Sequence, residues 1–294
     1  MLELTNITHR YPGAETPALQ GIDLQLQAGQ CLGLLGSNGA GKTTLLSLLA
    51  GVLPLQQGEI RWDGERSLGL VPQQLAFYAE LKVRENLELF ADLYRLRGAE
   101  RARRLELCIA STALESKLQR RAGRLSGGEQ RRLNFAIGLL QPARLYLFDE
   151  ATVGVDASSR QRLLGAVEQL TAEGHAVIYT SHYLDEVERV AQRILLLHQG
   201  HVRLDLDSRQ LLGDDHSLLL EWQGEEPAGL RELLGKLHLN AEALTGGLRI
   251  ASLDGPQLLE ITRFLAERPE LPHLLRFGRP SLEQLYLRLN GGRL

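Results

Sequence analysis

Short apolar runs alternate with stretches of helical periodicity along most of this chain. The strand-like runs are four or five residues long, and the segments between them place apolar residues every three or four positions. Strand and helix in regular alternation favour a mostly parallel sheet covered by helices, an α/β fold. The runs are Cys31–Leu35, Leu145–Phe148, Ala176–Thr180 and Ile194–Leu197.

Two regions interrupt this alternation. Residues 2–30 predict short strands around a turn at Pro12-Gly13, and the strand at Glu59–Trp62 is followed by Asp63-Gly64, which predicts a hairpin turn. Residues 83–119 are helical in pattern, with one apolar face. We therefore expect an antiparallel β subdomain and a helical subdomain beside the parallel sheet.

The pattern weakens between Asp207 and His216, which is polar and favours a linker. Beyond it, apolar strands at Leu218–Trp222, Leu248–Ile250 and Leu274–Phe277 alternate with helical segments. The sequence thus predicts a large domain over residues 1–206, a linker over 207–216 and a small α+β accessory domain over 217–294.

Composition narrows the classes of protein this can be. The 294 residues include 33 Lys and Arg against 36 Asp and Glu, so no basic surplus favours nucleic acid as a partner. No apolar run reaches the roughly 18 residues of a membrane helix, and no signal peptide is present, so we expect a soluble cytoplasmic chain. Cys31 and Cys108 form no disulfide or metal pattern and are predicted to be buried thiols.

The first candidate for chemistry is a glycine-rich loop between a strand and a helix. Its spacing, G-x-x-x-x-G-K-T, is typical of a loop whose backbone N–H groups surround the phosphates of a nucleoside triphosphate. Lys42 is expected to bridge the terminal phosphates, and the Thr43 hydroxyl is expected to bind Mg²⁺. The predicted phosphate-binding residues are Gly36, Ser37, Asn38, Gly39, Ala40, Gly41, Lys42, Thr43 and Thr44.

The second candidate is a pair of carboxylates at the end of an apolar strand. Asp149 fits the ligand of Mg²⁺, and Glu150 fits the group that positions the attacking water. An apolar strand that ends in Asp-Glu can also simply reach solvent. The phosphate loop upstream favours the functional interpretation.

The third candidate is a helix start at Leu125-Ser126-Gly127-Gly128-Glu129. Ser126 and Glu129 have the spacing of a capping box, so a capped helix with no further role is one interpretation. The other is a second anion clamp, in which bare N–H groups and the Ser126 hydroxyl close over the nucleotide of another copy of the chain.

With these three motifs in this order, residues 1 to 205 closely resemble the ATP-binding-cassette (ABC) ATPases. The resemblance implies a P-loop NTPase core, ATP and Mg²⁺ as cofactors, and a homodimer in which Ser126, Gly127, Gly128 and Glu129 complete the partner's site. By position, Tyr11 matches the aromatic residue that stacks on adenine, although a core or turn role is also open.

The resemblance also implies three further site residues. Gln73 matches the glutamine that touches Mg²⁺ and the attacking water and faces the membrane partner. His182 matches the histidine that contacts the γ-phosphate. Asp156 matches the acidic residue that communicates between the two copies, and it could also cap the following helix.

The C-terminal segment refines the subclass. Ser281 is expected to cap a helix with an apolar stripe through Leu282, Leu285, Tyr286 and Leu289. This resembles the extension on ATPase subunits of bacterial ABC-2-type exporters, whose transmembrane permease subunits are separate chains. Such a subunit is peripheral on the inner face of the cytoplasmic membrane.

Three alternatives stay open at this point. The chain could be a soluble ABC ATPase acting on ribosomes or nucleic acid, although it has one cassette and no basic arm. It could be the ATPase subunit of an importer. A regulatory subunit that does not hydrolyse ATP is the third, and Glu150 argues against it.

Overall fold

The structure is a computed structural model that describes residues 2–208, 217–224, 226–244 and 246–278, together with Leu282. Contacts between Cα atoms divide the chain into two compact units, Met1–Ser208 and Arg209–Leu294. Among the helices within these described ranges, none has the length and apolar composition needed to span a membrane.

The first unit is built on a six-stranded sheet with strand order β5-β6-β7-β3-β8-β9. Strands β5 to β8 and β3 run parallel, and β9 joins the edge antiparallel to β8. The strands of this sheet are β3 Cys31–Leu35, β5 Leu68–Val71, β6 Leu145–Asp149, β7 Ala176–Thr180, β8 Arg193–His198 and β9 His201–Asp207. Because β3, β6 and β7 are buried at every residue, the continuous apolar runs of the sequence form the interior of the sheet.

A second, antiparallel sheet is formed by β1 Leu2–His9, β2 Leu19–Leu26 and β4 Gln57–Trp62, with β1 between β2 and β4. Its alternating residues Leu2, Leu4 and Ile7 are buried against the same apolar core as the phosphate-loop helix. The predicted antiparallel piece is therefore present.

Helices cover the parallel sheet and form the helical subdomain. In chain order they are α1 Lys42–Ala50, α2 Val83–Leu93, α3 Gly98–Thr112, α4 Gly127–Leu140, α5 Ala157–Ala172 and α6 Leu184–Val190. Two short 3₁₀ turns, Glu115–Lys117 and Ala122–Arg124, lie between α3 and α4. Residues from Leu133 to Leu140 of α4 are buried, which packs this helix between the sheet and its neighbours.

The structure corrects two predicted elements of this unit. Asp63-Gly64 does not close a hairpin, because the next strand, β5, pairs in parallel with β6 rather than with β4. The guanidinium of Arg144 donates to the Asp63 carbonyl at 2.7 Å and ties this turn to the parallel sheet. The helical region 83–119 is also broken, since Arg95 has a φ of 58° and separates α2 from α3. The predicted strands did not include β5 or β9.

Among its described residues, the second unit contains an antiparallel sheet with order β11-β12-β10-β13 and two helices. Its elements are β10 Ser217–Glu221, α7 Leu230–Lys236, β11 Ala241–Leu244, β12 Gly247–Ile250, α8 Gly255–Ala266 and β13 Leu274–Gly278. Leu218, Leu220, Leu234 and Ile261 belong to its separate buried core. The helix predicted to begin at Ser281 lies outside the described residues apart from Leu282, which is buried.

Candidate nucleotide-binding site

The candidate residues of the first unit lie where adjacent parallel strands end. The phosphate loop follows β3, Gln73 follows β5, Asp149 ends β6 with Glu150 directly after it, and His182 follows β7. In open α/β sheets ligands bind outside the carboxyl ends of the strands. The topology therefore brings together groups that lie far apart in the sequence.

The phosphate loop folds tightly because its glycines allow close backbone approach. Gly36 has a φ of 152°, and a Cβ atom there would lie 2.5 Å from the Leu197 carbonyl oxygen. At Gly41, with a φ of 109°, a Cβ atom would lie 2.6 Å from the Ala18 oxygen. No other residue type fits these two positions without movement of the backbone.

Helix α1 begins directly after this loop without a side-chain cap or an acidic residue in its first turn. Its first N–H groups and the partial positive charge of the helix are therefore directed toward the loop, which is the arrangement that binds phosphate. The Lys42 ammonium donates to the carbonyl oxygens of Gly36 at 2.7 Å and Ser37 at 3.2 Å. Burial lowers the pKa of Lys42, and the charges of Glu150 and Asp149 oppose that shift.

Asp149 is buried at 4% exposure and is oriented by the neighbouring strand. The hydroxyl of Thr180 donates to Oδ1 of Asp149 at 2.9 Å. The backbone N–H of Glu150 approaches both the hydroxyl of Thr180, at 3.0 Å, and its carbonyl oxygen, at 3.2 Å. Thr180 thus fixes both carboxylate residues, and it was not among the site residues predicted from the sequence.

Glu150 lies at the centre of the site. Nε2 of Gln73 donates to its Oε2 at 2.8 Å, and Nε2 of His182 lies 2.7 Å from its Oε1. The backbone of Glu150 is left-handed, with a φ of 50°, a conformation that costs about 1–3 kcal/mol in a residue other than glycine. The hydrogen bonds that the Glu150 N–H donates to Thr180 hold this conformation, which directs the side chain toward Gln73 and His182.

A second contact missed by the sequence reasoning reaches Gln73 from α4. The guanidinium of Arg131 donates to the Gln73 carbonyl oxygen at 2.5 Å. Burial lowers the pKa of Arg131, while the charge of Glu150 raises it. Arg131 lies on α4, shortly after Ser126, and is one of two adjacent arginines. This pair is the feature of the sequence that points to the position, but the direction of the Arg131 side chain depends on the tertiary fold.

Tyr11 lies beside the start of α1. Its hydroxyl is 3.2 Å from the Thr44 hydroxyl, its side chain is 41% exposed, and the buried ring of His9 packs edge-on against it at 5.1 Å. An exposed aromatic face beside a phosphate loop can stack on a base. Its exposure argues against a core role, and its place next to Thr44 fits the stacking role that the resemblance implies.

Ser126 and Asp156 both begin helices, as predicted. Ser126 forms a capping box with Glu129, and Asp156 accepts from the Ser159 N–H at 2.9 Å. Ser126 and Asp156 are exposed, and the hydrogen bonds seen for Ser126 in the described ranges stay within its own helix. The structure thus groups Lys42, Gln73, Glu150 and His182, and it does not bring the Ser126 motif into that group.

The donors expected to hold Mg²⁺ have suitable chemistry. Thr43 offers a hydroxyl, Gln73 an amide and Asp149 a buried carboxylate that interacts with the charge of Lys42. Within the described residues no cluster of three or more His, Cys, Asp or Glu could hold a metal. This set fits an ion that takes its other ligands from phosphates and water, as Mg²⁺ commonly does.

Comparison with known proteins shows the family of the chain. A family profile described as ABC transporter matches residues 19–153. The chain is 34% identical to the linearmycin resistance ATP-binding protein LnrL of Bacillus subtilis (strain 168), over 99% of this chain and 98% of the relative. It is 31% identical to Nod factor export ATP-binding protein I of Burkholderia thailandensis, over 93% of this chain and 92% of that protein.

Among solved structures, a dimeric ATP-binding cassette in a post-hydrolysis state, bound to ADP and Pi, matches with a TM-score of 0.65 at 26% identity. That match covers 71% of this chain and 99% of the cassette. The chain belongs to the ABC transporter family. It is an ATPase of the exporter type, the ATP-hydrolysing subunit that drives transport.

Proposed function

We propose that the chain works as a homodimer that holds two ATP molecules, each between the phosphate loop of one copy and the Ser126 motif of the other. The contact between Glu150, Gln73 and His182 beside Lys42 carries this proposal. These groups form one half of a site, and the exposed N-terminus of α4 lies outside that half. The dimeric cassette among the similar structures supports the second half coming from another copy.

In this proposal Glu150 acts as the general base. Water attacks the γ-phosphorus, the carboxylate takes a proton from that water, and the bond to the β-phosphate oxygen breaks to give ADP and phosphate. Lys42 and the backbone N–H groups of the loop carry the phosphate charge, and Tyr11 stacks on the adenine. Gln73 and His182 orient Glu150 and contact the γ-phosphate.

Thr43, Asp149 and Gln73 would hold Mg²⁺, which neutralises phosphate charge when bound. Thr180 keeps Asp149 directed at this position. ATP offers a γ-phosphate to both halves of the site, whereas ADP does not, so ATP binding closes the dimer and hydrolysis lets it open. Asp156, exposed at the start of α5, faces the partner copy in this proposal and communicates between the two sites.

We further propose that separate transmembrane permease subunits dock on an aromatic patch formed by Tyr78, Phe90 and Tyr94. The ring centroids of Tyr78 and Phe90 lie 6.3 Å apart, those of Phe90 and Tyr94 lie 6.1 Å apart, and Tyr78 is 55% exposed. The buried Asn86 side chain exchanges hydrogen bonds of 2.8 and 2.9 Å with the Tyr78 backbone. A partner bound to this hydrogen-bonded segment would act on Gln73, which lies just before it in the chain.

The remaining assignments follow from this function. The chain would be peripheral on the inner face of the cytoplasmic membrane, through the permease. Residues 1–206 would be the nucleotide-binding domain, 207–216 a linker and 217–294 an accessory domain, a division that the two contact units support.

Mixing two inactive variants tests the shared site. Ser126→Arg places bulk and charge at the N-terminus of α4 but leaves the phosphate loop intact. Lys42→Ala alters the phosphate loop but leaves the N-terminus of α4 intact. In a mixed dimer both changes fall in one site and the other site is intact, so ATPase activity should partly recover on mixing. A site formed within one chain gives no recovery, because each chain then carries one lesion.

The same experiment needs proof that the mixed dimer forms. Two different affinity tags, with capture on one and detection of the other in the presence of ATP, provide it. If the mixed dimer is present but stays inactive, the Ser126→Arg chain is mixed with the wild-type chain. The ATPase activity of that mixture shows whether the two sites hydrolyse ATP only when both are intact. Recovery by a species that stays monomeric at every ATP concentration would contradict the proposal.

A further inference from the structure

Glu186, on α6, carries a buried carboxylate that has no part in the nucleotide contacts described above. The residue is 1% exposed. Its Oε2 atom accepts three hydroxyl groups, from Ser181 at 2.6 Å, Thr152 at 2.7 Å and Tyr179 at 2.8 Å. Burial and the charge of Glu186 raise the pKa of Tyr179 well above its usual value, so its phenol stays a hydrogen-bond donor.

The other oxygen faces a cation. Nε of Arg160 lies 3.2 Å from Oε1 of Glu186, and the guanidinium carbon lies 4.3 Å from the centre of the Tyr183 ring. Arg160 is in the first turn of α5, where its backbone N–H donates to the carbonyl of Asp156 at 2.8 Å. The carboxylate thus connects α6 with the helix that Asp156 begins.

The side chains that donate to Glu186 lie close in sequence to the two proposed site residues that follow β6 and β7, Glu150 and His182. Ser181 immediately precedes His182, and its hydroxyl also accepts the N–H of Tyr183 at 3.0 Å. Thr152 is two residues after Glu150. One carboxylate therefore holds the backbone on either side of His182 and the loop that leaves Glu150.

A buried ion pair contributes little to stability compared with apolar residues of the same volume, because desolvation of the charges offsets their attraction. Short charge-assisted hydrogen bonds, in contrast, fix direction strongly. We propose that Glu186 is a positioning residue that sets His182 and the loop from Glu150 to Asp156 relative to each other. This inference rests on the roles given to Glu150 and His182 in the proposed function.

The first test is Glu186→Gln, measured at saturating Mg²⁺ and ATP. The amide oxygen can still accept the three hydroxyls, but its NH₂ group then faces Arg160, so the geometry relaxes while the volume is kept. Loss of a hydrogen-bond partner of a metal ligand typically lowers activity about 10- to 100-fold, and we expect kcat of Glu186→Gln to fall by a similar factor. ADP affinity should stay at the wild-type value, because the phosphate loop is untouched.

Two further variants keep this test decisive. Glu168→Gln removes a carboxylate that pairs with Arg189 between α5 and α6 and should leave kcat unchanged. Ser181→Ala removes only the hydroxyl next to His182 and should lower kcat in the same direction. If Glu186→Gln has a reduced thermal midpoint, the kcat of Ser181→Ala decides the test instead. Wild-type kcat in both Glu186→Gln and Ser181→Ala would overturn the inference.

A double-mutant cycle with His182→Ala separates positioning from general damage. If Glu186 acts by setting His182 relative to the Glu150 loop, Glu186→Gln should lower kcat less in the His182→Ala chain than in the wild-type chain. Additive losses would overturn the inference and leave the proposed function intact. Wild-type turnover by His182→Ala itself would instead remove His182 from the proposed site, and this inference would fall with it.

Discussion

The amide nitrogen of Gln73 lies 2.8 Å from a carboxylate oxygen of Glu150, although Gln73 follows the edge strand β5 and Glu150 follows β6. The contact exists because β5 and β6 are adjacent and parallel, with Val71 opposite Phe148. It orients the Glu150 carboxylate from one side, as His182 does from the other. The Glu150 carboxylate is therefore held in one orientation, as the proposed role of general base requires.

Glu150→Gln should keep ATP binding but lower turnover about 10²- to 10⁴-fold, the usual contribution of a general base. The amide cannot take a proton from water, whereas Lys42 and the loop still hold the phosphates. Steady-state phosphate release measures the loss, and size exclusion with ATP should reveal a trapped dimer. Glu59→Gln, at an exposed pair with Arg61, is the matched control. Normal hydrolysis by Glu150→Gln would exclude this role.

Lys42→Ala should weaken nucleotide binding itself. A charged hydrogen-bond donor contributes about 1.5–3 kcal/mol, and here the change removes the cation that lies over the phosphate loop. Titration with a fluorescent ATP analogue gives the affinity. Lys236→Ala, at an exposed i,i+4 pair with Glu232 in the second unit, should bind as wild type does. Equal affinity in the two variants would show that the nucleotide lies elsewhere.

Tyr11→Ala should weaken ATP and ADP binding alike, by about 1–3 kcal/mol if the ring stacks on the base. Tyr11→Phe keeps the ring and loses only the contact with Thr44, so it should retain most of the affinity. Tyr78→Ala removes another exposed tyrosine and serves as the control. An unchanged affinity of Tyr11→Ala for both nucleotides would indicate that Tyr11 has only a structural role.

Tyr78→Arg should release the chain from membranes while leaving nucleotide affinity intact. The arginine puts a charge into the aromatic patch that we assign to the permease. The fraction of the chain that sediments with native membranes measures this, with Leu259→Arg, at a residue 58% exposed on α8, as control. If Tyr78→Arg sediments as wild type does, the docking surface lies elsewhere on the chain.

Both cysteines should resist thiol reagents in the folded protein. Burial raises the pKa of Cys108 to about 12 and that of Cys31 even further above the usual value. Since the thiolate is the reactive form, a raised pKa means little thiolate from neutral to mildly alkaline pH. Labelling should appear only on unfolding, at the same denaturant concentration as the loss of circular dichroism. Rapid labelling of the native chain would contradict the burial of these residues.

The features that could be read from residue order are those whose cause is local. The phosphate loop needs glycines at fixed spacing, and the capping box of Ser126 and Glu129 needs partners three residues apart; both are present as predicted. The parallel strands β3, β6, β7 and β8 were predicted because continuous apolar runs need burial on both faces of a sheet. Asp156 as a helix cap follows the same local rule.

The features that only the tertiary structure shows depend on contacts between segments that are distant in the sequence. Asp63-Gly64 has the residues of a hairpin turn, yet the strand after it, β5, pairs with β6 and not with β4. The reason is that Gly69 and Val71 of β5 are buried in the larger sheet. Whether Glu150 meets His182, and which hydroxyls surround Glu186, follows from strand order, which no short pattern encodes. Nearby residues decide turns, caps and loops, whereas the burial of charge and apolar area across the whole domain decides which of these elements meet.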